Sequence, residues 1–359
     1  MGVWKPKSNL TGPQGEVGPR GTPGQGFGTN AVEYFPDRPD SPWDFAIGYR
    51  DPQGVGRVAL GRRKDGTWYP DRLNVGATTL PSIVQHGDSL SANWGKQAAD
   101  LSTRLGNRTL VNQGIGGQTS LQIAARQGGA PTRATVAGGV IPASGSVSVT
   151  LSVALRSDTN VPSNVVIAGV AGTFVATDAS NYLTGTFTRK AAGLPAVAPA
   201  GSPVQTGYEY RDMWPIYWYG RNNFKDQNGA AQIVSDLRGS LEWNQHRAHA
   251  LILSIPPWAG EENGLAIRTI LDNTNAAIRD AFPREFVDTA ARLRSADVIT
   301  ATGNTPTAQD LTDIANGLTP TVFRLTNADG SVDPGHLGPV GYTALNMIVN
   351  EIYTSRGWK

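Results

Sequence analysis

PSIVQHGDSLS, residues 81–91, runs from a short apolar segment through a glycine turn into a helix-forming stretch. The next segments repeat the pattern. WGKQAADLSTRLG (94–106) reads as a helix stopping at Gly106, TLVNQGI (109–115) as a second strand, and TSLQIAAR (119–126) as a second helix opened by Thr119. Further on, PIYWYG (215–220) reads as a strand, residues 227–247 as an amphipathic helix, and HALILSIP (249–256) as a buried strand. GLAIRTILDNTNAAIRDAF (264–282) is helical in period, with REFVD (284–288) a strand after it. TAQDLTDIANGL carries a Thr307 to Asp310 capping pattern, and VGYTALNMIVNEIYTSRG (340–357) is a good terminal helix. Strand and helix in alternation predict a parallel sheet covered on both faces.

Residues 131–207 interrupt that alternation. GSVSVTLSVAL, NVVIAGVAGTFVAT and NYLTGTFTRK alternate apolar and small polar residues, as half-exposed antiparallel strands do. This stretch is expected to be an inserted, sandwich-like β module. Residues 29–78, rich in turn signals around FAIGY and GRVALG, predict a small β-rich connecting module. Ahead of it, Gly12, Gly15, Gly18, Gly21 and Gly24 fall three apart, with Pro13, Pro19 and Pro23 between them. Only glycine fits the axis of three polyproline strands, so residues 1–28 read as a collagen-like segment and imply a homotrimer. A flexible Gly/Pro linker would have the same composition. The alternating α/β part is then 79–130 with 208–359.

The 359 residues include 43 Gly, 24 Pro and no Cys. Cysteine nucleophiles, disulfides and thiolate metal sites are thereby excluded. With 31 basic and 29 acidic residues and no charged block, composition gives no reason to expect nucleic acid or a membrane surface as partner. No run approaches the ~20 apolar residues of a membrane span. MGVWKPKSNLTGPQG has no apolar core of the kind a signal peptide carries.

Four segments bear chemistry, each at the end of a strand or just before a helix: GDSLS (87–91), NQGIGGQTS (112–120), YGRNN (219–223) and DPGHLGPVGY (333–342). In this order they resemble the SGNH, or GDSL-type, hydrolase superfamily, and the likeness covers roughly residues 80–357. It implies a flavodoxin-like three-layer α/β fold and serine ester hydrolysis without metal or cofactor. By resemblance Ser89 is the nucleophile, His336 the general base and Asp333 the carboxylate orienting it. The oxyanion donors carried over are the backbone N–H of Ser89, that of Gly117 and the Asn222 side chain, with Gly116 the alternative to Gly117. The family's third block ends in Asp, where this chain has Asn223.

Other polar residues have plainer readings. Asp88 is expected to be a structural hydrogen-bonding group and His86 a strand-end residue. His246 and His249 could share a helix face, but no third metal ligand is spaced nearby. Arg221 could reach a substrate carboxylate or sugar hydroxyl, or lie on the surface. YEYRDMWPIYWY (208–219) holds six aromatics in twelve residues. These could stack on sugar rings or pack a sheet edge, with Tyr217 and Tyr219 inside and Trp214 and Trp218 facing out as substrate contacts.

The collagen-like start, the β modules and the lack of a leader together resemble bacteriophage tail-fibre or minor tail proteins. That likeness implies a virion enzyme acting at the host surface on an acylated polysaccharide, as a carbohydrate O-deacetylase, with other tail proteins as partners. The competing expectations are a catalytically silent glycan- or receptor-binding tail protein and a secreted bacterial acetylesterase.

Overall fold

The computed structural model describes residues 80–359 in full and, before them, the backbone of four strands. Two compact units result, Met1–Thr78 and Thr79–Lys359. In the first, strands Val32–Tyr34, Trp43–Arg50, Gly56–Arg63 and Trp68–Tyr69 pair antiparallel in chain order. The collagen-like reading of residues 1–28 lies outside the described residues.

The second unit is built on a five-stranded sheet. Its strands are, in chain order, Ile83–Gly87, Leu110–Gly114, Trp214–Trp218, Leu251–Leu253 and Phe286–Val287, all paired parallel. Their spatial order is second, first, third, fourth, fifth. This is the flavodoxin-like order, in which the chain reverses direction between its first and third strands and leaves a crevice at their carboxyl ends. Gly87, Gly114 and Trp218 stand side by side there. The fold is therefore the α/β architecture that the alternating sequence implies.

Helices close both faces. Trp94, Leu101, Ile216, Trp218 and Leu345 belong to one core; Ile123, Tyr217, Tyr219, Ile233 and Leu271 belong to the other. Capping follows the sequence: Thr119 and Thr307 each form a reciprocal box, with Gln122 and Asp310 respectively. Close packing of the first helix, Ser89–Trp94, needs Gly114, where a Cβ would stand 2.1 Å from the backbone nitrogen of Ala92.

The insertion is a closed barrel rather than a sandwich. Strands Thr132–Val136, Ser146–Leu151, Pro162–Ile167, Val170–Ala176, Thr184–Arg189 and Ser202–Thr206 pair antiparallel, and the third closes on the sixth. Alternation puts Val149, Val165, Phe174 and Phe187 inside. Closure pairs the edges that an open sheet would leave exposed, a feature that alternation alone does not encode.

Trp214 and Trp218 do not face out. Both are buried, at 6% and 1% exposure. A central parallel strand is covered on both faces, so alternation divides its aromatics between two cores instead of between core and solvent. Trp214 stacks on His249 with ring centroids 3.9 Å apart, under the Arg108 guanidinium, while the Trp218 indole donates to the Ser254 carbonyl at 2.9 Å. Neither is available to a substrate.

Candidate active site

Ser89 opens the helix that leaves the first strand. Asp88 caps that helix, accepting from the Leu90 N–H at 2.9 Å. From the far end of the chain, strand Val332–Leu337 brings His336 alongside, just before the last helix, Pro339–Ser355. His336 Nε2 lies 2.8 Å from Ser89 Oγ, and His336 Nδ1 lies 3.1 Å from both Asp333 oxygens. Asp333 Oδ1 also accepts the N–H groups of Gly335 and His336, at 2.9 and 2.7 Å. Partial burial raises the Asp333 carboxyl, but those N–H groups and the imidazole outweigh it and hold the group below its ordinary range. An ionised Asp333 keeps the imidazole proton on Nδ1 and leaves Nε2 free to take the hydroxyl proton of Ser89.

The second block runs past Ser89. A Cβ on Gly116 would stand 3.8 Å from that of Ser89, and Gly117 has φ +74°. Among the described residues, no acceptor takes the N–H of Ser89 or of Gly117. Asn222, after the third strand, donates from Nδ2 to the Gln118 carbonyl at 2.8 Å, which ties it to the same loop and leaves its second amide proton over. Asn223 holds the two blocks together from behind. Its side chain accepts from the Ser120 N–H and donates to Ser120 Oγ, both at 3.0 Å, and Ser120 Oγ donates to Asp236 at 2.6 Å.

Arg221 is not a substrate contact and not a surface residue. It is buried and paired bidentately with Glu261, with a bond of 2.8 Å from Nη1, and it also donates to the Pro256 carbonyl at 3.0 Å. Glu261 accepts the Trp258 N–H at 2.8 Å, and the Arg221 guanidinium lies 4.1 Å from the Trp258 ring centre. Trp258 in turn packs against His336. Neither Trp258 nor Glu261 stood out in the sequence. The signal available was position: PPWAGEE follows the fourth strand, whose carboxyl end points into the crevice.

The remaining polar residues are structural. Asp88 is wholly buried, and the loss of solvation raises its carboxyl from 3.8 to about 7 against the opposing charge of Arg221. His86 is buried and stacked on Tyr217 with ring centroids 5.8 Å apart. Burial, and then the charge of Arg126, hold it well below the ordinary imidazole range, so it is neutral. It borders a cavity of about 90 Å³ on the barrel side, with Arg126, Glu209 and Tyr210, that includes no part of the Ser89 relay. Among the described residues no group of three or more His, Asp or Glu side chains is arranged to hold a metal ion. Nor is any helix there long and apolar enough to cross a membrane.

No family model matches the chain. The tail spike protein of Salmonella phage epsilon15 is 27% identical over 280 residues, an alignment covering 71% of this chain. The chain spans about a quarter of that relative, 25% of its length. Similar solved structures include an alpha/beta hydrolase enzyme from the metagenome of Lake Arreo, Spain, with TM-score 0.37 and 12% identity over 75% of this chain and 94% of that one. A GDSL-like lipase from Bacteroides thetaiotaomicron has TM-score 0.30 and 12% identity, over 77% of this chain and 89% of its own.

Proposed function

We propose that this chain is a serine esterase of the SGNH type, carried on a bacteriophage tail, that removes acyl groups from a host surface polysaccharide. The observation that carries the reading is the unbroken relay from Ser89 Oγ through His336 to Asp333, at 2.8 and 3.1 Å. As His336 Nε2 takes its proton, Ser89 Oγ bonds to the ester carbonyl carbon and the carbonyl π pair moves to oxygen. The N–H groups of Ser89 and Gly117, with Asn222 Nδ2, receive that oxyanion, each donor worth about 3 kcal/mol when well placed. The pair returns, the carbon–alkoxide bond breaks, and His336 gives its proton to the leaving alcohol. Water then attacks the acyl-serine by the same steps and releases the acid.

Likeness to a phage tail spike supports the virion setting and, with it, a surface glycan as substrate. With Trp214 and Trp218 in the core, the aromatic cluster lends no support to a sugar substrate. Acetyl is the acyl group proposed. Hydrolysis of p-nitrophenyl acetate and of longer-chain esters tests the reading. Turnover confined to short chains and abolished in Ser89→Ala agrees with it; folded wild type inert on every chain length would leave a glycan-binding tail protein.

A homotrimer is part of the same proposal, resting on the Gly-X-Y register of residues 12–24. Deleting residues 1–28 should weaken the trimer in sedimentation more than it slows hydrolysis. Equal loss of both would contradict the collagen-like reading.

A further inference from the structure

The barrel touches the oxyanion loop at two points. Ser157, between the barrel strands Ser146–Leu151 and Pro162–Ile167, donates from Oγ to the Gly116 carbonyl at 2.6 Å. Leu155, in the same connection, accepts from Gln118 Nε2 at 3.1 Å. Gln118 is fully buried, and its Oε1 accepts from Arg126 Nε at 3.1 Å, so this side chain is fixed at both ends. The connection is anchored in turn to the barrel by Ser152 N–H on the Arg133 carbonyl at 2.8 Å and by Asn160 N–H on that of Ala176 at 3.2 Å.

The Ser157 bond has a specific consequence. In a trans peptide the carbonyl of one residue and the N–H of the next lie in one rigid plane and point in opposite directions. Pinning the Gly116 carbonyl to Ser157 therefore turns the Gly117 N–H away from the barrel. The two residues flanking that plane are both glycine, so their own sterics do little to resist its rotation. The hydroxyl of Ser157 supplies the restraint that a side chain at 116 or 117 would otherwise provide.

We infer that Ser157 is a positioning residue for the oxyanion site. The inserted barrel then completes the hydrolase site by orienting the Gly116–Gly117 peptide, which makes Gly117 rather than Gly116 the donor. This role rests on the esterase reading. It gives the insertion a part in turnover that would hold whatever glycan the protein meets.

Ser157→Val and Ser157→Thr form the test, since both side chains have nearly the same shape and only Thr keeps a hydroxyl. On a short-chain p-nitrophenyl ester, Ser157→Val should lower kcat about tenfold or more with KM nearly unchanged, because the affected contact forms to the oxyanion and not to the ground-state ester. Ser157→Thr should recover most of the loss, and the melting temperatures of all three proteins should agree. A tetrahedral mimic such as a boronic acid should bind Ser157→Val more weakly by a factor similar to the loss in kcat/KM. Wild-type kcat in Ser157→Val overturns the inference while leaving the esterase reading intact. Equal loss in the Val and Thr variants also overturns it, by assigning the effect to shape. Turnover that survives Ser89→Ala would instead remove the reading on which the inference rests.

Discussion

The indole of Trp258 lies against the imidazole of His336, with ring centroids 5.0 Å apart and planes inclined by 52°. Gly335 makes the approach possible, since a Cβ there would stand 1.7 Å from Trp258 Cδ1. The Ala259 N–H donates to the Pro334 carbonyl at 2.8 Å, which joins the two segments just before the histidine. Thus the loop after the fourth strand forms one wall of the place where His336 must stand. Trp258→Ala should cost ten- to a hundredfold in kcat/KM, the scale on which small misplacements of a reacting group act, while Trp258→Phe keeps most of the activity. Steady-state kinetics of both variants check this, and an undiminished Trp258→Ala would show that the histidine is held without the indole.

Arg221 and Glu261 hold that wall in place. Both are buried, so removing one charge strands the other. Arg221→Met or Glu261→Gln alone should each destabilise the protein by about 3–5 kcal/mol, whereas replacing both together should cost much less than the sum. Denaturant unfolding of the two single variants and the double variant measures the difference. Additive losses would mean that the pair is not coupled as its geometry requires.

Asp88 should make stability depend on pH in a direction opposite to that of a salt-bridged carboxylate. Its folded value, about 7, lies above its ordinary 3.8, so the folded chain holds the proton more tightly than the unfolded chain. Its contribution is fully present below about 3.8 and is lost as pH rises through about 7. The cost at pH 8 is on the order of 4 kcal/mol. Asp88→Asn keeps an acceptor for the Leu90 N–H and removes the ionisation. The melting temperature of wild type should fall from pH 5 to pH 8 by more than that of Asp88→Asn. Parallel profiles would contradict a buried, titrating Asp88.

Asp333 has the opposite sign. Because its carboxyl is held below the ordinary range, its contribution is present above about 3.8 and lost only as pH falls further. The Asp333 carboxyl should therefore titrate below the ordinary 3.8, which NMR titration of the side-chain carboxyls of wild type against Asp333→Asn checks. A titration at or above 3.8 would contradict a carboxylate held down by the Gly335 and His336 N–H groups.

The sheet and its crevice were legible because parallel strands and their helices have distinct periods, and because turn chemistry marks where each strand ends. GDSLS, NQGIGGQTS and YGRNN fall at those ends, whereas DPGHLGPVGY runs from the separate strand Val332–Leu337 into the last helix. Burial on the central strand was not legible: Trp214 and Trp218 look the same whether the second face meets solvent or a helix layer. Arg221 was equally opaque, since Glu261 lies forty residues away and only the fold brings them together. Ser157 sits in the ordinary polar run 156–160, and its meaning appears only once the barrel is closed and set against Gly116.

The most direct test is intact-mass analysis after treatment with a fluorophosphonate, comparing wild type, Ser89→Ala and His336→Ala. A serine nucleophile activated by His336 predicts one adduct on wild type, mapped to Ser89, with none on Ser89→Ala and greatly slowed labelling of His336→Ala. A folded wild type that takes no label, or equal labelling of wild type and Ser89→Ala, would contradict it.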